Sequence, residues 1–244
     1  MPPQQRPPGD LTDQAAVLEL LATGDVEVRG RMPWSSNATM LVEVSAGDRA
    51  MLGVYKPTRG ERPLWDFPAG LGRREVAAWL VSEALGWGLV PATVWRDGPM
   101  GEGSVQRFVP ADFEEHYFSL YEDPAHHDAL RRICAFDLVL NNTDRKSGHC
   151  LLGEDGRIWG IDNGLSFHVE PKLRTVIWDF AGQAVDAGLL ADLARVAESP
   201  PPALEQLLHP AEIEALVERA CRVVQHPVLP DPPPGHRAYP WPLV

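Results

Sequence analysis

Two aspartates on either side of a short hairpin carry the chemistry available to this chain. Asp144 lies in the polar loop Asn141-Asn-Thr-Asp-Arg-Lys-Ser-Gly-His149, after an apolar helical run that ends at Leu140. Asp162 follows a strand-like stretch and precedes Asn163-Gly164. Phosphoryl transfer needs one carboxylate to orient the acceptor hydroxyl and another to hold a metal on the nucleotide phosphates. Taken singly, each aspartate reads equally well as a cap or a turn residue. Together, on one local unit, they have the pattern that this chemistry requires.

The geometry follows from strand pairing. Asp155-Gly156 has the composition of a two-residue hairpin turn, in which both turn residues take φ > 0. That turn sets Glu154 opposite Arg157, Cys150 opposite Ile161 and His149 opposite Asp162. His149 and Asp162 then stand side by side at the open end, next to the Asp144 loop.

Asn142-Thr143-Asp144-Arg145, followed by Ile161-Asp162-Asn163-Gly164-Leu165-Ser166-Phe167, resembles the catalytic and metal-binding segments of type II phosphatidylinositol 4-kinases. It is similar to the phosphatidylinositol 3-/4-kinase-like proteins of actinobacteria and, more distantly, to HipA-type and Fam20-type kinases. The sharp match spans roughly residues 133–168. The resemblance implies that Asp144 is the catalytic aspartate and that Asp162 takes the place of the Asp in the protein-kinase Asp-Phe-Gly motif. It also implies ATP and a divalent metal, Mg²⁺ or Mn²⁺. One position departs from the pattern. These kinases carry Asn as the second metal ligand five residues after the catalytic Asp, where this chain has His149. An imidazole there favours Mn²⁺ over Mg²⁺. The alternatives are that Asn142 or Asn163 substitutes as ligand, or that His149 only hydrogen-bonds the loop.

The elements that must position these residues are legible in outline. Ala15–Leu21 reads as a short helix capped by Thr12 or Asp13. Val26–Arg29, Thr39–Val44 and Ala50–Pro57 read as strands, and Arg74–Leu85 as an amphipathic helix. Ala92–Trp95 and Ser104–Val109 are further strands, in the order of a kinase small lobe. Residues 111–128 form an acidic, aromatic insertion. Ala129–Leu140 is a helix with Asp128 as a candidate N-cap, and Ala181–Ala197 and Ala211–Val224 are helices separated by Pro200-Pro-Pro202. The expected fold class is α+β, a small two-lobed atypical protein/lipid-kinase-like fold. Its parts are a disordered lead (1–10), a small lobe (11–109), a large lobe (110–226) and an extended Pro-rich tail (227–244), in which Tyr239 and Trp241 are candidates for docking.

Only three of the 22 basic residues are lysine. One of them, Lys56, ends a small-lobe strand, where the resemblance puts the lysine that neutralises α/β-phosphate oxygens. Glu75 opens the next helix and is the candidate partner for Lys56, with Glu83 as competitor. Ser35, Ser36 and Asn37 occupy the place of a phosphate-covering loop, though without Gly-x-Gly spacing; a plain hairpin turn fits equally. Gln106 to Phe108 offer backbone to an adenine, with Val54 above and Leu152 or Ile161 below. Arg145 and Lys146 follow Asp144 in the catalytic loop as candidates to bind an acceptor phosphate or steady the transferred group. His116, His126 and His127 show no metal-ligand spacing.

Composition limits the partners. The formal charge of -12 disfavours nucleic acid and anionic membrane surfaces, which need basic patches. Cys134, Cys150 and Cys221 have no Cys-x-x-Cys spacing and point to a reducing, cytoplasmic setting. No run is long enough to span a membrane, and residues 1–10 lack a signal-peptide core. The expectation is an ATP-dependent phosphotransferase whose acceptor is a protein hydroxyl, a small metabolite or an inositol lipid. The alternatives are a nucleotide-binding pseudokinase or scaffold, and a kinase-fold nucleotidyltransferase that transfers AMP.

Overall fold

The computed structural model describes residues 13–32, 38–234 and 238–243. Its contacts divide the chain into two units. The first comprises residues up to Gly72 and Ala92–Phe108; the second comprises Arg73–Pro91 and Val109 onward.

The first unit is an antiparallel sheet with one helix on it. Helix α1 (Gln14–Thr23) starts at Asp13, whose carboxylate accepts from Ala15 N–H at 3.1 Å. Strands β1 (Asp25–Arg31), β2 (Met40–Ala46), β3 (Arg49–Pro57), β4 (Thr93–Gly98) and β5 (Gly101–Arg107) pair in the order β1-β2-β3-β5-β4. The two-residue period sets which face is buried. Val42, Val44, Tyr55 and Val105 point into a core closed by Val17, Leu20 and Leu21 of α1. Gly103 lies where β5 crosses the Lys56–Pro57 backbone so closely that a Cβ would collide with it. Glycine is therefore required for the β3–β5 register that sets Lys56 opposite Ser104.

The second unit is built around helix α4 (His127–Leu140), whose Leu130, Ile133, Phe136, Val139 and Leu140 are buried. Against it pack helix α2 (Leu71–Leu85) through Ala77, Ala78, Val81 and Leu85, and helices α5 (Ala187–Glu198) and α6 (Pro210–Gln225). By its contacts, α2 from Arg73 onward groups with this unit, whereas the sequence-based small lobe ran unbroken to 109. Asp128 is not the N-cap of α4; it lies in the first turn and pairs with Arg131 at 3.1 Å. The run from Ala181 is helical only from Ala187, because Asp186 caps the helix there by accepting from Gly188 N–H at 2.7 Å.

The 111–128 segment is docked. Helix α3 (Tyr117–Tyr121) buries Tyr117 and Leu120, and the Tyr117 hydroxyl donates to Asp179 at 2.6 Å. The tail docks too, but not by its aromatic rings. Leu229 and Ala238 are buried, while Tyr239 and Trp241 are 49% and 86% exposed. Its backbone pairs with Gln183, Val185 and Thr175. No helix among the described residues is long and apolar enough to cross a membrane.

Candidate active site

Helix α4 ends where Asn141 adopts the left-handed conformation (φ 56°), turning the chain into Asn142-Thr143-Asp144. A 3₁₀ turn, Ser147–His149, leads into strands β6 (Cys150–Leu152) and β7 (Ile158–Gly160). Asp162 follows, also left-handed (φ 59°), and Phe167 closes the segment at φ 69° with its ring fully buried. Asn and Asp enter this region readily, but a phenylalanine does so only under constraint. The constraint here is a return to α4. Phe167 N–H donates to Leu140 O at 2.7 Å, and Thr143 N–H to Leu165 O at 2.9 Å. The loops bearing the two aspartates are thereby fastened to each other.

At the centre lies Arg145, with no exposed surface. Its Nε and Nη2 donate to Asp137 of α4 at 2.9–3.1 Å. Nη1 donates to Ile161 O (2.6 Å) and His149 O (3.3 Å), and Nη2 also to Asn163 Oδ1 (2.6 Å). All five guanidinium donors are thus used, joining the helix to both ends of the hairpin. Burial opposes the charge, but Asp137 outweighs it and raises the Arg145 pKa above its ordinary value. Arg145 is therefore not available to an acceptor phosphate; it fixes the loops in place. Sequence carried one sign of this. Asp137 interrupts the apolar run Ile133–Leu140, and a carboxylate on a core-facing helix position needs a buried cation.

The amides weighed as metal ligands are likewise occupied. Asn142 Nδ2 donates to Asp137 and its Oδ1 accepts from Asp144 N–H. Asn163 donates to Gly160 O, accepts from Arg145, and its backbone N–H donates to Glu75 Oε2 at 3.0 Å. Glu75 is thus tied to the residue after Asp162.

The reactive groups lie outward from this frame. Asp144 has Lys146 Nζ 3.5 Å from its Oδ2. Partial burial pushes the Asp144 carboxyl up to about 6; Lys146 opposes the rise and the charge of Asp162 adds to it. Asp162 is about half exposed, with His149 Nε2 3.3 Å from its Oδ2. His149 Nδ1 accepts from Lys146 N–H at 3.3 Å, which puts the ring proton on Nε2 and makes His149 a donor to Asp162.

The hairpin differs from expectation by one residue. Cys150 pairs with Gly160, Leu151 with Trp159 and Leu152 with Ile158. Gly153 N–H donates to Arg157 O, so the loop is three residues long with Gly156 left-handed at φ 75°. Asp155 accepts from Arg157 N–H instead of serving as a φ > 0 turn residue. A one-residue shift of register exchanges faces. Leu152 therefore packs on the main core, while Leu151 shares the other face with Trp159, Ile161 and Val109. His149 still meets Asp162, because both lie beyond the last strand pair and Ile161 N–H donates to His149 O.

In the first unit, Val54 pairs with Gln106 and Gln106 with Thr93, so Lys56, Val54 and Gln106 share the face opposite Tyr55. The Gln106 side chain is spent on Thr93 Oγ1 at 2.9 Å. Phe108 N–H donates to Leu52 O at the end of this sheet. Ser35, Ser36 and Asn37 lie outside the described residues.

No family model matches this sequence. Protein Rv2133c of Mycobacterium tuberculosis is 42% identical over 263 aligned residues, which cover 91% of this chain and 94% of that protein. Among solved structures, the Golgi casein kinase with Mn and ADP bound matches with a TM-score of 0.55 at 13% identity, over 87% of this chain and 74% of that one. Hydra Fam20 with sugar matches with a TM-score of 0.54 at 14% identity, over 88% of this chain and 90% of that one. At such identities the likeness is one of fold, and the fold is that of the atypical kinases.

Proposed function

The chain belongs to the family of protein Rv2133c of Mycobacterium tuberculosis, and we propose that it is an ATP-dependent phosphotransferase with Asp144 as catalytic residue and Asp162 as metal ligand. The observation that carries this reading is the pair of carboxylates, raised on separate loops and electrostatically coupled, around a buried Arg145–Asp137 frame.

Among the described residues no group of three or more His, Cys, Asp or Glu is arranged to hold a metal alone. The donor set instead fits a metal shared with the nucleotide. Asp162 offers hard, half-exposed oxygens suited to Mg²⁺ or Mn²⁺, with the remaining sphere left to phosphates and water. Such a metal would neutralise phosphate charge. Asp144, ionised above about pH 6, accepts the proton of the acceptor hydroxyl. Lys146, 3.5 Å from Asp144, is the candidate to steady the transferred group. His149 orients Asp162 as its hydrogen-bond donor rather than ligating the metal. In the first unit, Lys56 is the candidate to neutralise phosphate oxygens and Val54, on the same face, to meet the base; in the second, Glu75 holds the residue after Asp162, and Leu151 and Ile161 offer apolar surface.

One observation favours a second reading. His149 lies 3.3 Å from one of the two Asp162 carboxylate oxygens and would compete with a metal there, which suits a protein that binds nucleotide without transferring from it. ATP labelled separately at the α- and γ-phosphates decides the matter, with Mn²⁺ and with Mg²⁺. Transfer of γ-label to an acceptor, or its release as orthophosphate, supports the phosphotransferase, whereas incorporation of α-label with the γ-label leaving as pyrophosphate indicates AMP transfer. Nucleotide binding with neither label mobilised refutes transfer of either kind and supports the second reading.

A further inference from the structure

A cavity of about 900 Å³ in the second unit is lined by neither Asp144 nor Asp162. It is bounded by the end of α4, the 171–174 segment, the last turns of α6 and residues 228–233. Its volume is that of a small-ligand site. Four of the 22 basic residues of this acidic chain line it: Lys172, Arg174, Arg219 and Arg222. Asp231 is the one carboxylate among its lining residues.

Arg219 gives the strongest indication of an occupant. Its Nε donates to Val139 O at 2.7 Å and its Nη1 to His168 O at 3.2 Å. Its Nη2 is buried with no hydrogen-bond partner among the described residues. Burial, and then the neighbouring charge of Arg222, lower its pKa to about 10. A buried donor left open beside a like charge costs free energy until an anion meets it. The rest of the lining includes Leu138, Trp178 and Val223, which offer apolar surface. The wall is also firm. Asn141 accepts from Lys172 N–H at 2.8 Å and donates to Glu170 O at 2.7 Å, and it directly precedes the Asp144 loop.

We propose that this cavity is a second binding site for a small anionic amphiphile, a phosphate monoester on an apolar body, with the acid group held by Arg174 and Arg222 against the cationic wall that Arg219 forms. The formal charge of -12 repels an anionic bilayer, so the ligand is a soluble molecule rather than a membrane lipid. The proposal stands whether or not Asp144 transfers phosphoryl groups.

Hexyl phosphate, with inorganic phosphate, hexanol and hexylammonium as controls, tests it by calorimetry and thermal shift. Hexyl phosphate should bind more tightly than inorganic phosphate, and neither hexanol nor hexylammonium should bind. Arg222→Gln and Arg174→Gln should each weaken hexyl phosphate about tenfold, the loss expected for one charge-assisted hydrogen bond. Val223→Trp, which narrows the cavity without touching its charges, should weaken hexyl phosphate and spare inorganic phosphate. Binding should persist in saturating Mn²⁺ and ADP. The proposal is overturned if millimolar hexyl phosphate does not bind, if binding is indifferent to both arginine variants, or if ADP displaces it. Arg222-dependent sedimentation with phosphatidic acid vesicles would overturn the soluble source.

Discussion

Replacing Asp144 by Asn should stabilise the protein while abolishing transfer, and the gain should depend on pH. Asp144 titrates near 6 in the folded chain against an ordinary 3.8. The raised value means that the folded state holds this proton more tightly than the unfolded state. Stability from this group is therefore present at low pH and is lost as pH rises through the window from about 4 to about 6. Above that window the ionised carboxylate costs up to about 3 kcal/mol, at about 1.4 kcal/mol per pKa unit. Asn keeps the shape without the charge, and the backbone N–H of residue 144 keeps its bond to Asn142. The Asn variant should gain up to about 3 kcal/mol at pH 8 and about 1 kcal/mol at pH 4.5. Urea denaturation of both proteins at the two pH values measures this, provided the slope is unchanged. A gain equal at both pH values, or a loss at pH 8, would refute the view that burial and the Asp162 charge strain this carboxylate.

Other consequences can be measured in the same protein. Arg145→Met leaves Asp137 buried without its cation and should cost about 3–5 kcal/mol; an unchanged melting temperature would remove Arg145 from the centre of the frame. ATP with Mn²⁺ should raise the melting temperature by mass action, and Asp162→Ala should erase the metal-dependent part; a full shift in that variant would displace Asp162 as the metal ligand. His149→Asn should leave the ratio of Mn²⁺ to Mg²⁺ affinity unchanged, since its Nε2 carries the proton; a swing toward Mg²⁺ would instead make His149 a ligand. Gly156→Ala should cost about 1 kcal/mol through its left-handed φ, with nucleotide binding intact; loss of binding would mean that the turn itself belongs to the site.

Local pattern determined a good deal of this protein. The alternating Val42/Val44 of β2, the cap at Asp13, and the polar break after Leu140 are written in neighbouring residues, because strand and helix periods and capping act over a few positions. For the same reason the segments carrying Asp144, Asp162 and His149 could be brought together from the hairpin alone. The register could not, because two-residue and three-residue loops both suit Asp-Gly, and only the Gly153–Arg157 pair chose between them. That choice moved Leu151 to the Ile161 face and turned Leu152 to the core. The role of Arg145 was decided at longer range. On the sequence it is a charged loop residue beside a catalytic candidate. In the fold, Asp137, Asn163 and two carbonyls from separate segments converge on it. The same holds for Asn142 and Asn163, whose amides could ligate a metal until packing assigned them other partners. A buried polar group must be satisfied by whatever the tertiary structure brings within reach, and that set of partners is a property of the packed chain rather than of any stretch of its sequence.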